Sequence, residues 1–193
     1  MFRVYFDMGR EHILDYRDGY DHLLFIIALC ALYLMRDWKK VLVLVTAFTV
    51  GHSITLALSS LDIIPVNRQW VEFLIPVTIF VTAVSNLFKN EESLSGERVQ
   101  INYLYALFFG LIHGLAFSND FKSLMGKSDI ASQLFAFNLG IEVGQIIIVV
   151  IFLTISFLLV DLLTLNRRDW KLVISSAVAG IALILMKERW LWD

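Results

Sequence analysis

The chain has 193 residues, of which 58% are hydrophobic and 18% are charged, and its formal net charge is −2. Soluble domains are nearer half apolar and a quarter charged, so this composition indicates a membrane protein or an unusually apolar core. A net charge of −2 does not indicate the excess of basic residues that nucleic-acid-binding proteins carry. The chain has 1 cysteine, Cys30, which excludes a disulfide framework and a CxxC metal site.

The first 20 residues are predicted to form an amphipathic segment. Charged and apolar side chains alternate irregularly from Met1 to Tyr20. No long apolar run with a small-residue cleavage site is present, so a signal peptide is not expected. We expect this segment to lie at the membrane interface before the first span.

Six apolar runs follow the N-terminal segment. A helix rises about 1.5 Å per residue, so roughly 20 residues are needed to cross about 30 Å of hydrocarbon. The expected spans are about 18–36, 41–61, 69–88, 101–118, 133–161 and 171–187. They leave no room for a second domain. The sequence therefore predicts an all-α integral membrane protein, a six-helix transmembrane bundle with a short N-terminal interfacial segment, in a single domain over residues 1–193.

The basic residues give the expected orientation. With alternating spans, each side of the membrane carries eight Lys and Arg. If Arg3, Arg10 and Arg17 are set aside as interfacial, the count becomes five against eight. The positive-inside rule then places connections one, three and five in the cytoplasm and both termini outside.

Acidic and histidine side chains gather at the start of the first span. His22 to Met35 is 14 residues, about 21 Å of helix, so completing a crossing draws Asp21 and His22 inside the membrane boundary. Asp18, Asp21 and His22 are spaced i, i+3, i+4 and share a helix face. The alternative is a helix-capping cluster in water.

The second span carries a polar stripe. His52, Thr55 and Ser59 are spaced i, i+3, i+7, and Ser53 follows His52 directly. Ionisable residues inside a membrane are rare and usually face the bundle interior or a watery cavity. The alternative is a neutral histidine bonded to a neighbouring carbonyl or hydroxyl group.

The fourth and fifth spans each have an ionisable residue between two glycines that are four residues apart. This glycine spacing lets helices approach closely. His113 lies between Gly110 and Gly114, and Glu142 lies between Gly140 and Gly144. On the fifth span, Asn138, Glu142 and Gln145 are spaced i, i+4, i+7 and point the same way. The alternative is that these polar groups only join helices.

These residues are expected at similar depth. Counted from one side of the membrane, His22 is within about a turn, His113 about five residues away, and His52 and Glu142 about nine. No Lys or Arg occupies the middle of a span. Imidazole and carboxylate groups suit divalent transition metals, and we expect such a metal to be held by Asp21, His22, His52, His113 and Glu142.

Further polar groups are expected to support that site from outside the ligand set. They are Asp18, Ser53, Asn138, Gln145 and Glu72. Glu72 has an alternative role, because Arg68 precedes it by four residues and can pair with it.

Four strings give the chain a resemblance to the HupE/UreJ family of bacterial membrane proteins. They are GYDHLLF at 19–25, GHSITL at 51–56, GLIHG at 110–114 and FNLGIEVGQ at 137–145. The resemblance implies a multi-pass protein of the bacterial inner membrane that handles nickel or cobalt. The family's first-span motif of His, spacer and Asp-His maps onto His12, Asp21 and His22. The spacer here is longer by nearly a helical turn, which places His12 among the supporting residues and leaves its role as a direct ligand open, while Asp21 and His22 stay matched.

Two functions remain open at this point. One is a transporter or permease for a divalent transition metal (Ni, Co or Zn) with its binding site in one half of the bilayer. The other is an intramembrane metal-dependent hydrolase of the zinc type, with Glu142 or Asp21 as general base. A third interpretation makes the polar residues helix contacts in a scaffold. The lipid bilayer and a metal ion are the expected partners, and the sequence identifies no protein partner.

Overall fold

The described chain is built from helices joined by short connections. The computed structural model describes residues 1–15, 20–89, 97–124 and 129–190, and no strand occurs within those ranges. In chain order the helices are α1 (Phe2–Leu14), α2 (Tyr20–Cys30), α3 (Trp38–Ser60), α4 (Arg68–Phe88), α5 (Glu97–Ala116), α6 (Ser118–Leu124), α7 (Ile130–Ser156) and α8 (Arg167–Glu188). A 3₁₀ turn, Met35–Asp37, precedes α3, and a π-helical turn, Phe157–Leu162, continues α7.

Most expected spans are present as apolar helices. Four are long and apolar enough to cross a membrane: α3 with its 3₁₀ turn, α4, α7 with its π-helical turn, and α8. The α5 and α6 helices meet the same criterion only as a pair, bent by 52°. The protein is an all-α, multi-pass membrane protein with four such helices in the described ranges, or five with the bent pair, and not the six expected.

The first expected span, 18–36, differs most from the structure. Its helix, α2, has 11 residues, about 16 Å of rise, which is too short to cross the hydrocarbon. Residues 31–34 continue it without helical structure, yet they are buried. Asn86 near the end of α4 donates to the Ala28 carbonyl at 2.7 Å, and Arg167 donates to the Leu32 carbonyl at 3.0 Å. Distant side chains therefore satisfy backbone groups at this short helix end.

The N-terminal segment also differs from expectation, because α1 packs lengthwise against α7. A Cβ at Gly9 would overlap the Phe137 carbonyl oxygen, and a Cβ at Gly144 would lie 3.0 Å from Ile13. Near the start of α1, the Phe2 ring contacts Phe135. Residues later in α1 contact residues later in α7, so the two helices run parallel. The expected interfacial segment is instead a packed helix of the bundle.

One end of the bundle collects both described termini. Arg189, just after α8, binds Asp21 at the start of α2. Arg68, at the start of α4, pairs with Asp120 of α6, which follows the end of α5. Met1 lines a small cavity with Asp129, the residue before α7. We call this the Arg189 end, and the opposite end, where α4 finishes, the Lys89 end.

Candidate functional site

All 4 histidines of the chain lie together toward the Arg189 end of the bundle. Ring centroids of His22 lie 4.8 Å from His12, 5.8 Å from His52 and 5.3 Å from His113. The His12 and His52 centroids are 6.2 Å apart. Four helices, α1, α2, α3 and α5, each contribute one imidazole. His22 is the central ring, because it contacts the other three.

Glycines let α3 and α5 approach closely enough to bring two of these rings into the cluster. A Cβ at Gly110 would overlap the carbonyl oxygen of Phe48, and one at Gly114 would overlap that of His52. From the other side, a Cβ at Gly51 would overlap the Leu107 carbonyl oxygen. The sequence prediction of a close helix contact at Gly110 and Gly114 is confirmed, with α3 as the partner.

The second predicted glycine pair brings in His12. Gly140 and Gly144 of α7 receive α1, where a Cβ at Gly140 would overlap the Phe6 carbonyl oxygen. His12 lies one turn beyond Gly9 on that packed face. The longer spacer left the role of His12 open, and the structure places the His12 ring beside that of His22, with the ring centroids 4.8 Å apart.

The imidazole nitrogens are buried without partners. His22 is 6% exposed, His113 1% and His52 0%. Both ring nitrogens of His22 and of His52, Nδ1 of His113 and Nε2 of His12 are buried with no hydrogen-bond partner. A neutral imidazole carries one donor and one acceptor, and leaving such groups buried and unsatisfied costs about 1–3 kcal/mol each. The cluster is thus costly unless a further species binds its nitrogens.

Phenylalanines form the wall around the cluster. Phe117 lies 4.0 Å from His12 between ring centroids, Phe48 lies 5.1 Å from His113, and Phe25 lies 5.2 Å from His113. These apolar rings cover the histidine cluster where they contact it, and they have no polar atom that could hydrogen-bond to an imidazole. The imidazoles therefore face mainly one another.

Thr78 fixes the orientation of one ring. Its hydroxyl donates to the Ile75 carbonyl at 2.7 Å and lies 3.3 Å from Nε2 of His113. If the hydroxyl proton stays in the bond to Ile75, Thr78 accepts from Nε2–H of His113, because the donor and acceptor roles of an imidazole depend on its tautomer. The lone pair of His113 then lies on Nδ1, the nitrogen that has no partner.

Asp21 is held by a cation that the sequence analysis missed. Arg189 Nη1 lies 2.9 Å from Oδ2 of Asp21, and Nη2 donates to the Tyr20 hydroxyl at 2.9 Å. Nη1 also lies 3.3 Å from the Glu72 carbonyl oxygen. That carbonyl cannot accept the usual helical bond from the residue four positions on, because this residue is Pro76, which lacks an N–H. The pair gives Asp21 a cationic partner that the sequence analysis did not include, and Oδ1 of Asp21 stays buried and unpartnered.

Arg189→Met is expected to destabilise the protein by about 3 kcal/mol, because it leaves a largely buried carboxylate without its partner. The Arg189 side chain is 23% exposed and that of Asp21 10%. SDS unfolding in mixed micelles measures the change. Asp21→Asn combined with Arg189→Met removes both charges and should cost clearly less than the two single changes added together. Strict additivity would contradict a direct Asp21–Arg189 coupling.

A cavity of about 290 Å³ opens beside the cluster at the Arg189 end. Its lining includes three of the imidazoles, of His12, His22 and His113, together with Asp21 and Arg189. Ion pairs lie at its mouth, where Arg68 Nε is 2.6 Å from Glu72 Oε1 and Arg68 Nη1 is 3.6 Å from Asp120 Oδ1. The alternative role predicted for Glu72, a partner of Arg68, is confirmed.

The remaining predicted residues lie along the contact of α3 and α7. Thr46 donates to Glu142 Oε1 at 2.6 Å, and Thr49 lies 2.8 Å from Gln145 Oε1. Glu142 is half-buried and does not line the 290 Å³ cavity. The structure therefore pairs Glu142 with Thr46 instead of bringing it among the cavity-lining ligands. Thr46 was missed, although it precedes Thr49 by three residues and extends the same stripe.

Three supporting residues complete the comparison with the expected site. Ser53 donates to the Thr49 carbonyl of its own helix at 2.7 Å. Asn138 has its Oδ1 buried and without a partner. Asp18 lies outside the described residues.

The four histidine side chains lie close together, but their nitrogens do not point to one common position for an ion. Across residues 1–15, 20–89, 97–124 and 129–190, no group of three or more His, Cys, Asp or Glu is positioned to hold a metal ion. Cys30 lies at the far end of α2, and the cluster offers imidazole nitrogen and one carboxylate oxygen as donors. This donor set fits nickel, cobalt or zinc in chemistry, and binding requires the rings to turn toward a common point.

Comparisons with known proteins give one match. A family model described as "HupE / UreJ protein" matches residues 1–192. The searches of curated proteins and of solved structures found no match. The family match covers essentially the whole chain.

Proposed function

The chain belongs to the HupE/UreJ family, which is associated with nickel and cobalt transport, and from that membership we propose that it carries a divalent transition metal through the histidine cluster. The observation that carries the proposal is the set of unpartnered, buried ring nitrogens of His22, His52 and His113, with His12 beside them. A divalent cation is the species that satisfies several imidazole lone pairs at once. It enters from the 290 Å³ cavity at the Arg189 end.

The looseness of the cluster suits a transported ion. A cargo site must bind the metal and then release it, unlike a structural site with fixed ligands. Ring centroids 4.8–6.2 Å apart leave room for side-chain rotation to form the site and to open it again. Asp21 adds one buried carboxylate oxygen beside His22, and Arg189 limits the negative charge that this acid offers the ion.

A polar stripe on α4 supports passage beyond the cluster. Thr78, which bonds His113, is followed at i+4 by Thr82 and at i+8 by Asn86. Thr82 and Asn86 line a second cavity, of about 180 Å³, toward the Lys89 end. Phe25 contacts both His113 and Phe109, and Phe109 lines that second cavity. We assign Phe25 as the barrier between the two cavities.

Uptake into proteoliposomes tests the proposed function. Vesicles containing the purified protein and a metal-sensing dye inside should accumulate Ni²⁺ or Co²⁺ faster than protein-free vesicles. The His22→Gln variant, reconstituted at equal density, should show the protein-free rate. Equal uptake by the original protein and by protein-free vesicles for Ni²⁺, Co²⁺ and Zn²⁺ would refute transport.

Thr82→Ile is expected to slow Ni²⁺ uptake by about 10-fold while leaving Ni²⁺ affinity unchanged. The change removes a hydroxyl from the stripe and fills part of the second cavity, but it does not touch an imidazole. Thr154→Ile on α7 is the matched control, because Thr154 makes the same bond to a carbonyl four residues earlier yet is exposed. Equal uptake by the two variants would contradict a route along α4.

A further inference from the structure

A third cavity lies at the Lys89 end, opposite the histidine cluster, and has Leu32 and Lys89 in common with the 180 Å³ cavity. Its volume is about 510 Å³, and it forms where the segment after α2, the end of α4 and the first turns of α8 meet. It shares no lining residue with the 290 Å³ cavity. Its properties therefore require a separate explanation.

The lining is strongly basic. Four cationic side chains surround the cavity, those of Lys89, Arg167, Arg168 and Lys171. No acidic side chain of the described ranges is among the lining residues. Clustered like charges repel one another, so this arrangement favours a bound anion.

Hydrogen bonds from their side chains hold three of these cations in place. Arg167 Nη2 donates to the Leu32 carbonyl at 3.0 Å, and Lys171 Nζ donates to the Lys89 carbonyl at 2.7 Å. Lys89 Nζ donates to the amide oxygen of Asn102 at 2.8 Å, and burial lowers the pKa of this ammonium. The acceptor of the Lys171 bond is uncharged, so this bond fixes the side chain of Lys171 without neutralising its ammonium group.

The rest of the lining is apolar. Leu32, Leu34, Leu87 and Leu172 contribute aliphatic surface, and Trp170 lines the same cavity. The spanning helix α4 ends here and the spanning helix α8 begins here, so the cavity lies at the height where hydrocarbon gives way to headgroups. Tryptophan is enriched at that level of membrane proteins.

We propose that this cavity binds the phosphate of an anionic phospholipid headgroup, with Arg168 and Lys171 as its main contacts. The basic side chains match the phosphate charge, and the leucines with Trp170 match the first part of the acyl chains. Basic pockets between transmembrane helices recognise anionic lipids by this combination. A free phosphate ion would use the cations alone and leave the apolar half of the cavity uncovered. The bound lipid joins the ends of α2, α4 and α8, and this role does not depend on metal transport.

Thermal unfolding in a neutral detergent tests the proposal. Phosphatidylglycerol titrated into the purified full-length protein should raise the unfolding midpoint in a saturable manner, and phosphatidylcholine should not. Inorganic phosphate at the same concentration should leave the midpoint unchanged. The Arg168→Gln/Lys171→Gln variant should lose at least half of the phosphatidylglycerol shift.

Arg36→Gln/Lys39→Gln is the charge-matched control. Both residues are exposed at the same end of the bundle and do not line the cavity. This variant should retain the full shift. Equal shifts in the two variants would overturn the site, because general attraction to anionic micelles would explain them. A shift with inorganic phosphate as large as with phosphatidylglycerol would overturn the assignment to a lipid.

Discussion

His22→Gln is expected to lower the Ni²⁺ affinity of the purified protein by about 100-fold or more. His22 is the one imidazole whose ring contacts the other three histidines, so its loss removes the central donor of the cluster. Loss of an outer partner of a metal ligand already costs about 10- to 100-fold. Isothermal titration of metal-stripped protein in detergent measures the affinity.

Glutamine keeps much of the side-chain volume, so the fold should survive this change. Ser175→Ala is the control, since Ser175 is also fully buried with an unpartnered polar atom but does not line the 290 Å³ cavity. The control should bind Ni²⁺ as the original protein does. If His22→Gln binds Ni²⁺ with unchanged affinity while folded, the histidine cluster is not the metal site.

Gly110→Leu is expected to destabilise the bundle by about 3 kcal/mol or more and to abolish metal binding. A side chain at this position would overlap the backbone of α3 at Phe48, which cannot move aside as a flexible side chain could. The separation of α3 from α5 would also separate His52 from His113. SDS unfolding in mixed micelles measures the stability, and Ni²⁺ titration measures the binding.

Gly180→Leu is the matched control for that prediction. Gly180 is in the interior of α8, and a Cβ there would have nothing within 4 Å. Leucine at this site should leave Ni²⁺ binding intact and favour the helix slightly. Similar destabilisation by both substitutions would show that adding a leucine side chain to a spanning helix, and not the close approach of α3 and α5, sets the effect.

Local sequence patterns predicted the parts of the site that depend on one helix. The length and apolarity of α3, α4, α7 and α8 follow from hydropathy alone, and their bounds differ from expectation by a few residues. Glycines at i and i+4 around His113 predicted a close helix contact, which the structure has. The similar depth expected for His22, His52 and His113 agrees with the gathering of their rings.

Features that depend on distant pairing could not be read from one segment. The Arg189–Asp21 pair joins residues 168 positions apart, and no local pattern connects them. Pro76 gave the only local signal, since it frees the Glu72 carbonyl for a donor from elsewhere. The role of His12 was left open because spacer length was treated as displacement along one helix, whereas α1 and α2 are separate helices.

The hydrolase alternative is less well supported by this arrangement. Glu142 was an expected general base, but it bonds Thr46 and does not line the 290 Å³ cavity. Asp21, the other expected base, has one oxygen occupied by Arg189. The 180 Å³ cavity and the α4 stripe have no role in hydrolysis at a one-sided pocket, whereas the proposed transport route uses both.

The packing of α1 against α7 has a consequence for biogenesis. During synthesis a ribosome adds about 5–20 residues per second, so α1 leaves it well before its partner exists. The close contact between Gly9 and the Phe137 backbone can form only after most of the chain has entered the bilayer. Helix α1 is therefore made long before it can dock on α7, and His12 reaches its final place in the histidine cluster only once that contact has formed.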